Sequence, residues 1–207
     1  MRGRFITLEG GEGAGKSTLA RALAEHLRGR GVEVVTTREP GGSPGAEAIR
    51  ALVVQGAVDA WRADTEALLF MTARYDHLQS LILPALARGA WVISDRFYDS
   101  TYVYQAIAKE VGADWLDALY RLLYANLAPD LTLLLDLPPE VGLARAGARG
   151  NVAESRFEQM GIAYHTRLRE AFLARARAEP QRFTVVEASA PLAVVQAAGI
   201  RAVDQLF

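Results

Sequence analysis

The feature of this sequence that most constrains its fold is a glycine-rich loop near the N-terminus. Residues 6–23 read ITLEGGEGAGKSTLARAL, so an apolar segment leads into the loop and an amphipathic segment follows it. Residues 10–17 match G-x-x-x-x-G-K-[ST], whose glycines let backbone N–H groups converge on phosphate oxygens. A helix that starts at the loop adds the positive end of its dipole. The pattern predicts a nucleoside triphosphate site; a turn without a ligand is the alternative.

The polar residues of this loop predict how the triphosphate is held. Lys16 is one of only two lysines in the chain, and it would reach the β and γ phosphates as a compact charge. Ser17 offers a hydroxyl oxygen to Mg²⁺. We therefore expect ATP with Mg²⁺, bound by Gly10, Gly11, Glu12, Gly13, Ala14, Gly15, Lys16, Ser17 and Thr18.

The composition is typical of a globular protein. The chain is 51% hydrophobic, and its 207 residues favour one domain over residues 1–207, with two small domains as the alternative. Its formal net charge is −1. This charge gives no reason to expect nucleic acid or a membrane surface as a partner. The chain has no cysteine, and its first residues lack the apolar run of a secretory signal. We expect a cytoplasmic protein without a transmembrane segment.

Apolar segments alternate with helical patterns along the chain. Strands are predicted at residues 4–9, 32–37, 91–95, 131–136 and 183–187, with long helices at 65–87 and 158–177 among those between them. Because each predicted strand is apolar throughout, we expect a parallel sheet covered by helices on both faces. Ligands of such sheets bind beyond the carboxyl ends of the strands, so one edge should carry Glu9, Arg38, Asp95 and Asp136.

Arginines at this edge indicate a second anion beside the triphosphate. Arg38 lies in TREPGGSPG and Arg96 in SDRFYDSTY, each directly after a strand. Guanidinium groups match phosphate oxygens bidentately. A phosphate acceptor is already an anionic nucleophile, so positioning and charge stabilisation suffice. A hydroxyl acceptor would instead need a carboxylate base such as Glu12 or Asp95.

Three further predictions concern the metal, the acceptor and a mobile cover. Asp95 is expected to order Mg²⁺ with Ser17, and Asp136 is its rival for that role. Phe70 and Arg74 are four residues apart on one helix face, which predicts a stacking ring beside a hydrogen-bonding fork for a nucleobase. A core Phe beside a surface Arg is the alternative. Residues 145–158 carry arginines within a glycine-bearing segment that suits a lid, against the alternative of a solvated loop.

Together these motifs resemble the thymidylate kinase family along nearly the whole chain. The segments that carry the resemblance are FITLEGGEGAGKST, TREPGGS, LLFMTARYDH, VISDRFYDSTYVYQ, LTLLLDLPPEVGLAR and SRFE. The resemblance implies an α/β P-loop NTPase fold, with a five-stranded parallel sheet, helices on both faces and a lid at about 145–158. It also implies that ATP donates its γ-phosphoryl group to dTMP, giving dTDP, and that the protein is a homodimer.

The resemblance further implies roles for individual residues. Arg38 and Arg96 would hold the acceptor phosphate, Arg74 and Phe70 would bind thymine, and Glu12 would lie near the sugar. Tyr104 would pack near the 2′ carbon and disfavour ribose, and Thr101 and Gln105 would approach the base. The complete set of expected acceptor contacts is Arg38, Phe70, Arg74, Arg96, Thr101, Tyr104 and Gln105.

The loop itself contains no arginine, since its variable residues are Gly-Glu-Gly-Ala. This resembles the bacterial type of the family, in which the lid carries the catalytic arginines; Arg149 and Arg156 are chosen here ahead of Arg145. The catalytic set implied is Glu12, Lys16, Arg96, Arg149 and Arg156. One departure follows Gln105, where the family often has glycines and an arginine but this chain reads AIAKEVG, which makes Lys109 the candidate replacement.

Two other functions stay open from the residues alone. Another deoxynucleotide or deoxynucleoside kinase of the same fold would share the loop and differ in its acceptor. A nucleotide-dependent switch would need no acceptor, and would leave the arginines opposite the loop unexplained. No guanine-reading Asn-Lys-x-Asp sequence is present.

Overall fold

The strands form one parallel sheet in the order expected of a nucleotide-binding α/β protein. A computed structural model describes residues 2–124, 127–148 and 156–207. The strand order is β2-β3-β1-β4-β5, with β1 in the centre. All four strand pairings are parallel, so the carboxyl ends of the strands meet at one edge. The strands are β1 Phe5–Glu9, β2 Val34–Arg38, β3 Trp91–Asp95, β4 Leu131–Asp136 and β5 Phe183–Glu187.

Helices connect the strands and cover both faces of the sheet. In the described parts of the chain the α-helices are α1 Lys16–Gly29, α2 Pro44–Val54, α3 Ala63–His77, α4 Leu83–Ala87, α5 Tyr98–Thr101, α6 Ala113–Tyr124, α7 Pro139–Gly147, α8 Ile162–Ala178 and α9 Leu192–Asp204. Two wider π-helical segments extend α3 and α5, at Leu78–Ile82 and Tyr102–Ile107. The predicted helix over 65–87 is therefore three joined segments. The helix predicted from 158 begins at Ile162, because Gly161 interrupts it.

The core forms two layers, one on each side of the sheet. On one face, β1 and β4 pack against α1 and α9 through residues such as Leu8, Leu23 and Val203. The other face carries α3, α4 and the segments around α5, with Phe5 and Phe97 in edge-to-face contact at 4.9 Å between ring centroids. This two-sided burial confirms the predicted α/β fold with helices on both faces.

The edge strands differ from the prediction of strands that are apolar throughout. All five residues of β1 are buried, but β2 has one buried residue and β5 has two, and the others in both strands are partly or fully exposed. Val185 in β5 is 49% exposed. An edge strand has one neighbour and incomplete cover, so only its inner face needs apolar side chains. Among the described residues, no helix combines the length and apolarity needed to cross a bilayer.

Candidate active site

One open cavity of about 400 Å³ lies at the carboxyl edge of the sheet. The loop after β1, the segment after β2, the turn after β3, and helix α3 all contribute to its wall. All seven residues expected to contact the acceptor line this cavity, together with residues 12–18 of the glycine-rich loop. The topology therefore brings the two predicted binding regions together at one place.

The glycine-rich loop has the backbone conformation that its sequence demands. Gly10, Gly13 and Gly15 have φ values of 133°, 67° and 94°, a region that other residues rarely adopt. A Cβ atom at Gly13 would lie 2.0 Å from the carbonyl oxygen of Gly142, so the loop also packs too closely for a side chain there. Helix α1 begins at Lys16, directly after the loop, which directs its N-terminal amides towards the cavity.

Lys16 lies folded over the loop and is almost fully buried. Its Nζ donates hydrogen bonds to the carbonyl oxygens of Gly10 at 3.1 Å and Gly11 at 2.8 Å. Burial and the nearby Arg96 cation lower the pKa of Lys16 to about 8, although Asp95 and Glu12 act in the opposite direction. A further anion beside Lys16, such as a phosphate, would stabilise the charged form of its ammonium group.

Ser17 and Asp95 meet beside the loop. The Ser17 hydroxyl donates to Asp95 Oδ2 at 2.6 Å. Hydroxyl and carboxylate oxygens are the donors that Mg²⁺ accepts, so this pair fits the predicted ion. The described residues contain no group of three acidic or histidine side chains able to hold a metal by itself. Mg²⁺ at this position would need phosphate and water oxygens to complete its coordination.

Asp136, the other candidate for the metal, forms an ion pair with Arg169 instead. Its two carboxylate oxygens accept hydrogen bonds from Arg169 Nε at 2.7 Å and from the Arg169 terminal nitrogen at 2.8 Å. Asp136 ends β4 and pairs in register with Glu187 of β5, on the far side of β1 from β3. The preference for Asp95 agrees with this arrangement.

Arg96 occupies the centre of the cavity wall, in a left-handed backbone conformation with φ of 73°. One terminal nitrogen donates to the Gly10 carbonyl at 3.1 Å and the Ser100 hydroxyl at 3.0 Å. The other donates to Glu12 at 2.9 Å and the Tyr104 hydroxyl at 3.2 Å. The guanidinium group is thus oriented between the loop and the acceptor side.

Glu12 is an ionised orienting group in this arrangement. It accepts hydrogen bonds from both Arg96 and the Tyr104 hydroxyl, each at 2.9 Å. Burial would raise the pKa of Glu12, but the Arg96 and Lys16 cations outweigh burial and lower it to about 2. A carboxylate with so low a pKa is a weak general base. This argues against the alternative in which Glu12 deprotonates a hydroxyl acceptor.

Arg74 is the most deeply buried of the arginines expected to contact the acceptor. It is 3% exposed, and its Nε donates to Glu39 Oε2 at 2.6 Å while a terminal nitrogen donates to the Phe97 carbonyl at 3.0 Å. His77 Nδ1 lies 3.0 Å from the other Glu39 oxygen. Glu39 was not among the predicted site residues. Glu39 lies within TREPGGS, but nothing in that segment indicates that its carboxylate pairs with Arg74.

Arg38 is the least constrained member of the predicted acceptor set. Its side chain is 55% exposed, and one terminal nitrogen donates to both oxygens of Glu47 at 3.1 Å. Glu47 also accepts from the backbone N–H of Gly42, which fixes the turn after β2. The Arg38 guanidinium therefore lines the cavity but retains the freedom of a surface side chain.

The remaining residues expected to contact the acceptor also line the cavity. Phe70 lines it from α3, and Thr101 and Gln105 are each about 1% exposed. Tyr104 and Gln105 lie on the π-helical segment that follows α5, a local widening often found at functional sites. Burial keeps the Tyr104 pKa well above its usual range, so its hydroxyl is a neutral donor.

Glu9 binds the residues that follow β3. The sequence predicted only that it lies at the carboxyl edge of the sheet. It is fully buried, and it accepts hydrogen bonds from the Phe97 N–H at 2.8 Å, the Ser100 N–H at 3.3 Å and the Ser100 hydroxyl at 2.6 Å. Burial and the nearby Asp99 raise the pKa of Glu9 to about 7. These bonds hold the turn that carries Arg96.

Of the arginines predicted for the lid, the two that the structure describes, Arg145 and Arg156, do not line the cavity. Arg149 lies outside the described residues. Arg145 donates to the Ala188 carbonyl at 3.2 Å. Arg156 is 2% exposed and ion-paired with Glu66 at 2.6 Å, and it does not line the cavity in this structure, so its catalytic role stays a prediction. Lys109 also binds Glu66, at 2.7 and 2.8 Å, and not a phosphate position.

Comparisons with known proteins agree with this site. The family model described as thymidylate kinase matches residues 8–198. A thymidylate kinase of Caulobacter vibrioides is 54% identical over 197 residues, covering 95% of this chain and 94% of the relative. One of Pseudomonas fluorescens is 54% identical over 196 residues, with 95% and 92% covered. One of Pseudomonas entomophila is 52% identical over all 207 residues and 96% of its own length. The chain belongs to the thymidylate kinase family.

Proposed function

We propose that this protein transfers the γ-phosphoryl group of ATP to dTMP, giving dTDP and ADP. The observation that carries the proposal is the meeting of the glycine-rich loop and the arginine-lined pocket in one cavity. Family membership and relatives that are 52–54% identical over nearly their whole length support the same reaction. A kinase of the same fold with another acceptor would have the same loop and would differ only in the pocket that faces it.

The donor would bind through the loop between β1 and α1. The backbone N–H groups of residues 13–18 and the N-terminus of α1 supply the positive field that a triphosphate needs. Lys16 would leave the carbonyl oxygens of Gly10 and Gly11 and bind the β and γ phosphates. Its new anionic partners would restore the charged form that burial disfavours.

The acceptor would bind through side chains from several segments. Arg38 and Arg96 would take the phosphate of dTMP, because both line the cavity next to the loop. Phe70 would stack on the thymine ring, while Arg74 would donate to a carbonyl oxygen of the base from its fixed place beside Glu39. Thr101, Tyr104 and Gln105 would close the pocket around the base and sugar.

The reaction would need positioning and charge stabilisation and no general base. The dTMP phosphate is an anionic nucleophile, and Arg96, which Glu12 and Tyr104 hold in place, would contact both phosphates. Mg²⁺ beside Ser17 and Asp95 would neutralise charge on the transferred group when bound. A lid arginine would supply further positive charge. We propose Arg149 for this role, because Arg145 and Arg156 bind other partners in this structure.

The domain, oligomeric state and location follow the same proposal. We expect one kinase domain over residues 1–207, a homodimer and a cytoplasmic enzyme. A dimer would be able to bury exposed apolar side chains of α3 and α6, namely Leu68, Tyr75, Trp115 and Leu122. Light scattering during size-exclusion chromatography would measure the mass of the particle, and a mass of one chain at all concentrations would contradict the dimer.

A substrate panel tests the proposed reaction. Purified protein would be incubated with ATP, Mg²⁺ and each of dTMP, dUMP, dGMP and thymidine, and the nucleotide products would be separated by chromatography. We expect dTDP from dTMP as the main product, and the Lys16→Ala variant, purified identically, would exclude a contaminating kinase. Phosphorylation of thymidine but not dTMP would contradict the proposal. ATP hydrolysis that dTMP does not change would favour a switch.

A further inference from the structure

A buried cluster of charged side chains lies beside the acceptor pocket. Its centre is Glu66, a fully buried residue in the first turn of α3. The Glu66 carboxylate accepts hydrogen bonds from Gln105 at 3.0 Å and from Lys109 at 2.7 and 2.8 Å. Arg156 lies 2.6 Å from its second oxygen. Two cations and one amide thus converge on a single carboxylate, which makes its burial tolerable.

Arg156 is held at every nitrogen of its guanidinium group. Besides the ion pair with Glu66, these nitrogens donate to the carbonyl oxygens of Ala57 at 2.8 Å, Val53 at 2.9 Å and Val58 at 2.7 Å. Reaching a phosphate would break all of these contacts and leave Glu66 and the carbonyl groups short of donors. Arg156 therefore anchors the chain to the end of α2 and to the segment that follows it.

The residue after this anchor faces the acceptor. Phe157 lines the cavity, with its ring centroid 6.1 Å from that of Phe70 and 5.6 Å from that of Tyr104. Lys109 Nζ and Arg156 Cζ lie 5.6 and 5.4 Å from the Phe157 ring centroid, within the range of cation–π attraction. The same charged cluster therefore fixes both the backbone and the ring of Phe157.

We propose that Phe157 binds the nucleobase of the acceptor as a second aromatic wall, and that Glu66 and Arg156 are positioning residues that hold it there. This inference rests on the proposed function, since it assigns more of the same pocket. The Phe70 and Phe157 rings are inclined by 51° and lie too close to clamp a base between parallel faces, which needs about 7 Å. A base stacked on Phe70 would instead meet Phe157 along its edge and lose contact with water there.

The first test removes the ring and leaves the anchor intact. Phe157→Leu keeps an apolar side chain and Phe157→Ala removes it. Calorimetry would measure the Kd of dTMP without ATP, and steady-state kinetics would give kcat and both KM values. For Phe157→Ala we expect Kd and KM for dTMP to rise about tenfold, with a smaller rise for Phe157→Leu. The KM for ATP and kcat should stay within about threefold of wild type.

The second test loosens the anchor. Arg156→Met and Glu66→Gln should raise the dTMP KM in the same way, whereas the exposed controls Arg201→Met and Glu25→Gln should not. Melting temperatures would establish that each variant folds. If an anchor variant does not fold, the two Phe157 variants decide the inference.

Two results would overturn the inference while leaving the proposed function standing. An unchanged dTMP Kd in Phe157→Ala would show that the ring does not touch the base. A loss of about 100-fold in kcat for Arg156→Met, with an unchanged dTMP KM, would make Arg156 a phosphoryl-transfer residue. A wild-type protein that neither binds nor phosphorylates dTMP would instead reject the proposed function itself, so the two failures are distinguishable.

Discussion

The proposed donor and acceptor sides of the cavity would bind anions through different kinds of group. On the donor side, the loop and the first turn of α1 offer main-chain N–H groups and one lysine, all close together in sequence. On the acceptor side, side chains come from separate strands and helices, and three buried or partly buried arginines are each paired with a carboxylate. These pairs are Glu12 with Arg96, Glu39 with Arg74, and Glu66 with Arg156.

This difference teaches how each side gains its specificity. Main-chain amides are fixed by the fold, so the donor side needs little more than glycine and a helix N-terminus. A long arginine side chain has many rotamers, and a buried carboxylate restricts them at the cost of desolvating both charges. The acceptor side can therefore select one small nucleotide, but its geometry depends on partners far apart in the sequence.

The largest expected effect lies on the donor side. Lys16→Ala removes the one lysine that can reach the transferred phosphates, and we expect kcat to fall by about 10³-fold or more. Lys16→Arg is the matched control, because it keeps the charge but replaces a point donor by a planar fork that the loop does not fit. Product formation by chromatography measures both. Retention of a tenth of wild-type kcat in Lys16→Ala would contradict this account of the donor side.

The second effect compares two Glu–Arg pairs on the acceptor side. Glu39→Gln leaves the Arg74 charge buried without its partner and should cost about 3–5 kcal/mol in the free energy of unfolding. Glu47→Gln breaks the pair with Arg38, which is largely exposed to solvent, and should cost less than about 1 kcal/mol. Urea unfolding monitored by circular dichroism would measure both. Equal losses would mean that burial does not distinguish these pairs.

The third effect concerns the arginine that Glu39 orients. Arg74→Ala removes a donor aimed at the base, so the dTMP KM should rise about 30-fold while kcat changes by less than about fivefold. The KM for ATP serves as the internal control, since Arg74 belongs to the other side of the cavity. A fall in kcat with an unchanged dTMP KM would contradict the assignment of Arg74 to the base.

The smallest expected effect is a pH dependence confined to the donor side. Because the pKa of Lys16 is lowered to about 8, the free enzyme loses the charge that attracts ATP as the pH rises above that value. The kcat/KM for ATP should fall about fivefold between pH 8 and pH 9. Measured with ATP already bound, kcat/KM for dTMP should fall less, since phosphate contacts stabilise the charged lysine. A flat ATP profile up to pH 9.5 would contradict the prediction.

The same pKa has a consequence for stability. Its folded-state value lies below the ordinary lysine value of 10.5, so the unfolded chain binds more protons between these limits. This group therefore raises the free energy of unfolding as the pH rises from about 8 towards 10.5. Lys16→Met should remove that contribution, and comparing the pH dependence of unfolding in the two proteins isolates it.

The sequence predicted the donor side well because its information is local. Loop, strand and helix occupy consecutive residues, and three strands have the predicted bounds, Trp91–Asp95, Leu131–Asp136 and Phe183–Glu187. The parallel order of strands then places Asp95 beside Ser17 without any knowledge of side-chain packing. Family-specific segments extended this to the acceptor residues, which the fold brings to one cavity.

The carboxylate partners on the acceptor side could not be predicted from the sequence. Glu39 and Glu66 gain their roles only when α3, the turn after β2 and residue 156 come together in three dimensions. In the sequence Glu66 is an ordinary acidic residue of a first helical turn, which the helix dipole alone would explain. The sequence predicted Arg156 as a lid arginine. In the structure its guanidinium group instead binds three backbone carbonyl groups and the buried Glu66 carboxylate. Tertiary partners of this kind leave no local pattern.

A crystal structure with dTMP and a non-hydrolysable ATP analogue would show whether two nucleotides meet at the carboxyl edge of the sheet. We expect the β phosphate within hydrogen-bonding distance of the loop amides, and the dTMP phosphate within that distance of both Arg38 and Arg96, at the same edge of the sheet. Arg38 and Arg96 turned outward into solvent, with the second nucleotide bound elsewhere or not at all, would contradict it.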